Sequence, residues 1–141
     1  MAADGGHWFS ILATIIVPLA TVIILFTPAC SGTITHTVGD SIWSIPQTEG
    51  FYNKWASSRL FRPGDILYFE FDRDLYHVMR VQNWEYQMCE TNIVIPWEVY
   101  RDGKAWVTLP EEGYYTYICN VLDYCSLGLR FELKVNKSDS P

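Results

Sequence analysis

The sequence predicts an all-β fold, an antiparallel sandwich or Greek-key barrel of about seven to eight short strands with one or two short helices. Three observations carry this. Short runs rich in β-branched and aromatic residues recur from residue 33 onward. Gly-, Asp- and Pro-containing turn signals separate them closely. Only one stretch shows helical spacing.

Taken in order, "TITHTV" (33–38) alternates and stops at Gly39-Asp40. "FYNKWASS" (51–58) is the helical turn, with Tyr52 and Trp55 at i, i+3 spacing. "DILYFEF" (65–71) is a strongly apolar run after Pro63-Gly64, and "VMRV" (78–81) is a short one. "AWVTL" (105–109) follows Asp102-Gly103-Lys104 and ends at Pro110. "YYTYIC" (114–119) follows Glu111-Glu112-Gly113, and "LRFELKV" (129–135) alternates to the end of the domain.

The chain has 141 residues, 49% hydrophobic and 16% aromatic, which suits one domain with a core that needs no metal to hold it, plus a short leader. Net charge is −6, and the basic residues cluster only as the spaced set Lys54, Arg59 and Arg62. A nucleic-acid partner is not expected, because binding phosphates needs a basic face. An acidic surface suits an extracellular protein or a face for a basic partner.

Trp8 to Phe26 carries no charge, and "TPACSG" follows. Ala29 and Ser31 would occupy the −3 and −1 positions of a signal-peptidase site. Residues 1–31 therefore read as a signal peptide, with residues 32–136 as the domain and 137–141 as a tail. The apolar run is also long enough to span a bilayer, so an uncleaved anchor is the alternative, and it is the one membrane attachment expected. Lipidation at Cys30 is a third reading. The two main options place the domain in an oxidising compartment, secreted or on the outer side of the plasma membrane. Asn136-Lys137-Ser138 is a glycosylation sequon at the end of the domain.

Without the leader three cysteines remain, Cys89, Cys119 and Cys125. Two should pair in a secreted protein, and spacing alone does not choose which. "HTVGDSIW", "FYNKWASSRLFRPGDILYFEF", "DGKAWVTLPEEGYYTYIC" and "CSLGLRFELKV" together resemble the phytocyanins, small extracellular plant cupredoxins that include stellacyanins, plantacyanins, uclacyanins and early nodulin-like proteins. The resemblance runs from about Thr35 to Val135. It implies a cupredoxin-like Greek-key sandwich with one disulfide, Cys89 to Cys125, and leaves Cys119 at the position of the family's copper thiolate.

The resemblance also implies where the other ligands would lie. A blue-copper centre takes two imidazoles and a thiolate in a trigonal set, with a weak axial group. The family's second His immediately precedes the last cysteine; here that residue is Tyr124. Its axial Met or Gln lies four residues beyond that cysteine; here that is Leu129. Its first His lies thirteen residues before the disulfide cysteine, which counts back to Tyr76, with His77 adjacent. Neighbours on a strand point to opposite faces, so Tyr76 and His77 cannot both face the site. The ungapped count favours Tyr76, and a one-residue register shift would bring in His77 instead.

The implied reading is a phytocyanin with degenerate copper ligands and no cofactor, acting as an extracellular scaffold for a cell-wall or receptor protein or a glycan. Trp43, Trp84, Trp97 and Trp106 are the candidates for carbohydrate stacking, with core packing expected for at least two of them. The alternative is the family's blue-copper electron transfer, which retention of Cys119 favours. An enzyme is not expected, since no Ser-His-Asp set, paired-carboxylate motif or phosphate loop is discernible. The printed chain stops at "NKSDSP" without the stalk and hydrophobic tail that carry a glycolipid anchor in many relatives, so either it is unanchored at that end or the sequence continues.

The leader makes a direct prediction. N-terminal sequencing of the secreted product should begin at Gly32. A product held in membranes with residues 8–26 intact would establish an anchor instead.

Overall fold

The computed structural model describes residues 32–91 and 98–137. Seven strands among them form two sheets. One contains β1 (Thr35–Thr37), β2 (Ile66–Glu70) and β5 (Lys104–Thr108), in the order β1-β2-β5. The other contains β3 (Val78–Val81), β4 (Glu98–Tyr100), β6 (Gly113–Ile118) and β7 (Arg130–Val135), in the order β4-β3-β6-β7. β1 runs parallel to β2, and the other strand pairs are antiparallel. The chain crosses from one sheet to the other and back, which is the Greek-key sandwich that the pattern of short strands predicts.

Alternation explains which faces meet. In β2 and the residue after it, Leu67, Phe69 and Phe71 are buried. Across the ladder Leu67 faces Val107 and Phe69 faces Ala105, so a bulky ring meets a small side chain. In the other sheet Tyr115, Tyr117, Phe131, Leu133 and Val135 turn inward to the same core. Thr116 and Ile118 point the opposite way, and Ile118 joins a second, smaller cluster with Met79, Val81, Tyr86 and Cys125.

Trp43 ties the layers together. It is fully buried, and its ring lies 4.6 Å from Tyr52, 5.5 Å from Phe69 and 5.8 Å from Phe131. Its backbone N–H donates to the Glu70 carbonyl at 2.7 Å, and its indole Nε1–H donates to the His77 carbonyl at 3.1 Å. A side chain proposed for carbohydrate stacking is thus core. Trp84 and Trp106 are exposed, and Trp97 lies outside the described residues.

Helix α1 (Phe51–Ser57) buries Tyr52, Trp55 and Ala56, a stripe at i, i+3, i+4. The Tyr52 hydroxyl bridges the Ser44 backbone, accepting from its N–H at 3.0 Å and donating to its carbonyl at 2.9 Å. Tyr52 also lies over the turn at Gly39, which has φ +68. A Cβ there would sit 2.6 Å from Tyr52 Cε1, so the position needs glycine both for its backbone and for the close approach.

A second helix and a seventh strand, β4, fall within the expected numbers, at positions the sequence pattern did not mark. Helix α2 (Asn83–Met88) has a capping box in which Gln82 and Glu85 satisfy each other's backbone N–H. It covers the outer face of β6 with Tyr86. The residue that caps its C-terminus is Cys89, in left-handed conformation at φ 53, and Cys89 is bonded to Cys125. Strand β4 is three half-buried residues at a sheet edge. The disulfide closes 36 residues of chain, which is worth about 3–4 kcal/mol by loop entropy.

A buried polar pair fixes the start of the first sheet. Asp65, 3% exposed, accepts from His36 Nε2 at 3.0 Å, from the Ile34 N–H at 3.1 Å and from the Arg62 N–H at 3.0 Å. Burial pushes its carboxyl up, but the bonds from His36, Arg62 and Ile34 and the His36 charge outweigh that and hold it below the ordinary carboxylate value.

Two outcomes are expected. Gly39→Ala should destabilise the domain by about 1–3 kcal/mol in urea unfolding, from strain at positive φ and displacement of Tyr52. For Asp65 the folded carboxyl is more acidic than the unfolded one. Its contribution to stability is complete above the unfolded value, about 3.9, and is lost as pH falls through the lowered folded value. Melting curves between about pH 2 and 5 should therefore depend less on pH in Asp65→Asn than in the parent, on a lower baseline.

Candidate functional site

The site expected from the sequence lies where β6 passes into the loop 119–129. The loop is pinned at its base, because the Cys119 N–H donates to the Leu129 carbonyl at 3.0 Å and the Leu129 N–H donates to the Tyr124 carbonyl at 2.9 Å. The disulfide holds its middle through Cys125, and Cys119 is a free, fully buried thiol.

Strand parity sorts the candidate residues into two groups. Tyr76, Val78, Tyr117, Cys119, Tyr124 and Leu129 belong to the main core or pack against it. Tyr76 and Tyr124 meet each other, with ring centroids 5.5 Å apart at 51°. Leu129 is fully buried and offers no lone pair. On the outer side of the same ladder His77 meets Asn120. The imidazole Nε2–H donates to Asn120 Oδ1, because the Asn120 amide already donates to Thr91 Oγ1 at 2.9 Å. His77 is buried as well, at 6% exposure. Thus Tyr76 is the residue brought together with Tyr124, and His77 is turned to Asn120.

Protonation follows the same division. Burial pushes the Cys119 thiol up, and the backbone groups of His77 and Val121 beside the sulfur pull it part of the way back. The sulfur is therefore held more firmly as a thiol than a free cysteine is. Burial lowers His77, the Asn120 bond opposes this, and the Arg101 charge adds to the lowering, so the imidazole is held neutral further into the acid range.

At the four positions that the sequence resemblance assigns to copper ligands, the side chains are one thiol, two phenols and an alkyl group. They do not match two imidazoles, a thiolate and a thioether or amide. A phenol ionises near pH 10, so supplying phenolate at neutral pH costs about 4 kcal/mol unless the metal drives it. Among the described residues no three His, Cys, Asp or Glu side chains come close enough to share an ion. The Asn120 and Thr91 partners of His77 are the part of the site that residue-by-residue reading missed. An Asn directly after the ligand-position cysteine was the available signal.

Asn136 follows β7 half-buried, its N–H bonded to the Phe61 carbonyl at 3.0 Å. Ser138 of its sequon and the leader, residues 1–31, lie outside the described residues.

Comparison with known proteins agrees with this geometry. A family model described as a plastocyanin-like domain matches residues 43–129, from Trp43 to Leu129. Stellacyanin of Toxicodendron vernicifluum is 36% identical over 107 residues, covering 71% of this chain and 94% of its own. Early nodulin-like protein 12 of Arabidopsis thaliana is 30% identical over 86% of this chain and 66% of its own length. Among solved structures, a cucumber stellacyanin with Cu2+ superposes with a TM-score of 0.69 at 29% identity, over 77% of this chain and all of that one. A cucumber basic protein, a blue copper protein, gives 0.62 at 27% identity, over 72% of this chain and 99% of its own. With its two-sheet sandwich, its Cys89–Cys125 bond and these relatives, the chain belongs to the plant phytocyanin family.

Proposed function

We propose that this chain is a phytocyanin that forms no blue-copper centre and serves as a rigid, non-catalytic extracellular binding module. The observation that carries the reading is the Tyr76–Tyr124 ring contact, which puts two phenols together at the positions where the family has imidazoles. Three further features support it. Leu129 removes the axial donor, and Cys119 is held as a thiol by burial. The one nearby imidazole, His77, is already bonded to Asn120. The likeness to early nodulin-like proteins and the uncharged apolar run from Trp8 to Phe26 support an extracellular or cell-surface location.

Electron transfer by bound copper is the second reading. The buried Cys119 in the family's thiolate position and the likeness to stellacyanin favour it. It requires an imidazole pair that the inner face of this site does not supply.

Copper titration followed by visible absorption separates the two. The parent protein should stay colourless. Tyr76→His, Tyr124→His and Leu129→Met made together should create a coloured copper complex, since Cys119, the loop anchors and the disulfide are all in place. Swapping fitted core groups should lower stability by about 1–3 kcal/mol. Blue colour in the parent would overturn the reading. A colourless, folded triple variant would show that the loop no longer has the family's ligand geometry.

A further inference from the structure

The outer face of the sheet β1-β2-β5 has no role in the site described above. Its outward side chains are Thr35 and Thr37 from β1, Ile66, Tyr68 and Glu70 from β2, and Lys104, Trp106 and Thr108 from β5, alternating with buried neighbours. The register arranges them in rows. Thr35, Ile66 and Thr108 share one row, Thr37, Tyr68 and Trp106 the next, and Glu70 lies opposite Lys104 in the third. Among the described residues no helix packs across this face.

The middle row holds an aromatic platform. Trp106 is 61% exposed, and its ring lies 5.0 Å from that of Tyr68 at 41°, a shallow open-book arrangement. A single exposed tryptophan is ordinary, but Trp106 and Tyr68 together form a contiguous two-ring apolar patch with polar neighbours, the arrangement that marks a binding surface. The row on one side places Thr35 and Thr108 about the apolar Ile66, and the row on the other is charged. Threonine hydroxyls flank it on one side. On the other, Glu70 accepts from the Tyr68 hydroxyl at 3.2 Å and sits 4.0 Å from Lys104 Nζ. The one acid and the one base on the face offset each other, so it presents no net charge.

We infer that this face binds a neutral, β-linked hexopyranose chain, with one sugar stacked on Trp106 and Tyr68 and its hydroxyls hydrogen-bonded to the flanking rows. Equatorial substituents leave the faces of such a sugar lined with C–H groups, which match an aromatic ring, while the hydroxyls project around the rim, where the face carries threonines, Glu70 and Lys104. Charge balance disfavours an anionic glycan. Area disfavours a protein: three strands of three, five and five residues span at most about 14 Å by 17 Å, roughly 240 Å2. A stable protein interface needs about 800 Å2 per partner and a pocketed anchor. The inference deepens the binding-module reading and rests on it for the extracellular setting, but its site is separate from the loop around Cys119.

The test uses protein expressed from the full chain in a plant host, with cellohexaose as probe and polygalacturonate as anionic comparator. Tryptophan fluorescence and affinity electrophoresis should show saturable binding of cellohexaose and weaker binding of polygalacturonate. Trp106→Ala should weaken cellohexaose binding by roughly tenfold or more, and Tyr68→Ala should weaken it less. Trp84→Ala, at an exposed tryptophan outside this face, should leave it unchanged. Because Trp106 is exposed, its variant should keep the parent's melting temperature within a few degrees or so. No binding of cellohexaose, binding that Trp106→Ala does not alter, or tighter binding of polygalacturonate would each overturn the inference. So would a concentration-dependent dimer in sedimentation that Trp106→Ala abolishes, since the face would then be a contact between copies. A blue copper complex with glycan binding intact would remove the copper-free reading alone. A colourless protein that ignores cellohexaose would remove this inference alone.

Discussion

The structure depends on the burial of Trp43 between the sheets. Its backbone bonds to the end of β2, its indole N–H bonds to the carbonyl just before β3, and its ring touches α1, β2 and β7. One side chain thus sets the spacing of both layers and the height of residue 77. A buried indole N–H has to find an acceptor, and here the acceptor is the His77 carbonyl. That bond helps determine which way Tyr76 and His77 face, so the core and the candidate site are parts of a single constraint.

Most of the fold was legible because alternation is a strong signal wherever a strand is wet on one side. The six strands expected from the pattern appear within a residue or two of the expected bounds, and "FYNKWASS" forms α1. What escaped has physical reasons. α2 is only six residues long and is capped by Gln82 rather than by Ser, Thr, Asp or Asn, so neither length nor cap announces it. β4 is half-buried on every residue and therefore shows no alternation. The tryptophans were beyond a linear reading. Trp43 lies in the irregular segment before α1 and Trp106 in β5, and only the assembled fold shows that one is buried and the other exposed.

The candidate site was located by counting from Cys89 and Cys125, the two cysteines that the fold joins. The choice between Tyr76 and His77 rests on parity, and parity belongs to the assembled ladder. Cys119 and Tyr76 lie with the core; Asn120 and His77 lie on its other side. The result is two neighbouring but chemically different layers. The inner one is aromatic and holds a neutral thiol; the outer one is a short polar chain from His77 through Asn120 to Thr91. Proton-sensitive and apolar chemistry are kept apart by one strand's thickness.

The anchoring of the loop 119–129 has a consequence for how this region can vary. Its base is tied by the Cys119–Leu129 backbone bond, its middle by the Cys89–Cys125 link, and its far end by Gly128, where a Cβ would come within 3.1 Å of Pro46. Its apex is Leu122, which is 82% exposed and in a left-handed conformation at φ 48, within a turn closed by the Tyr124 N–H donating to the Val121 carbonyl at 3.1 Å. A change of side chain at Leu122 alters the loop's exposed surface while these backbone bonds keep Cys119 and Tyr124 in place. The segment is thus held at both ends and across its tip, and what it offers to solvent is set by the side chain at 122 rather than by the path of the backbone.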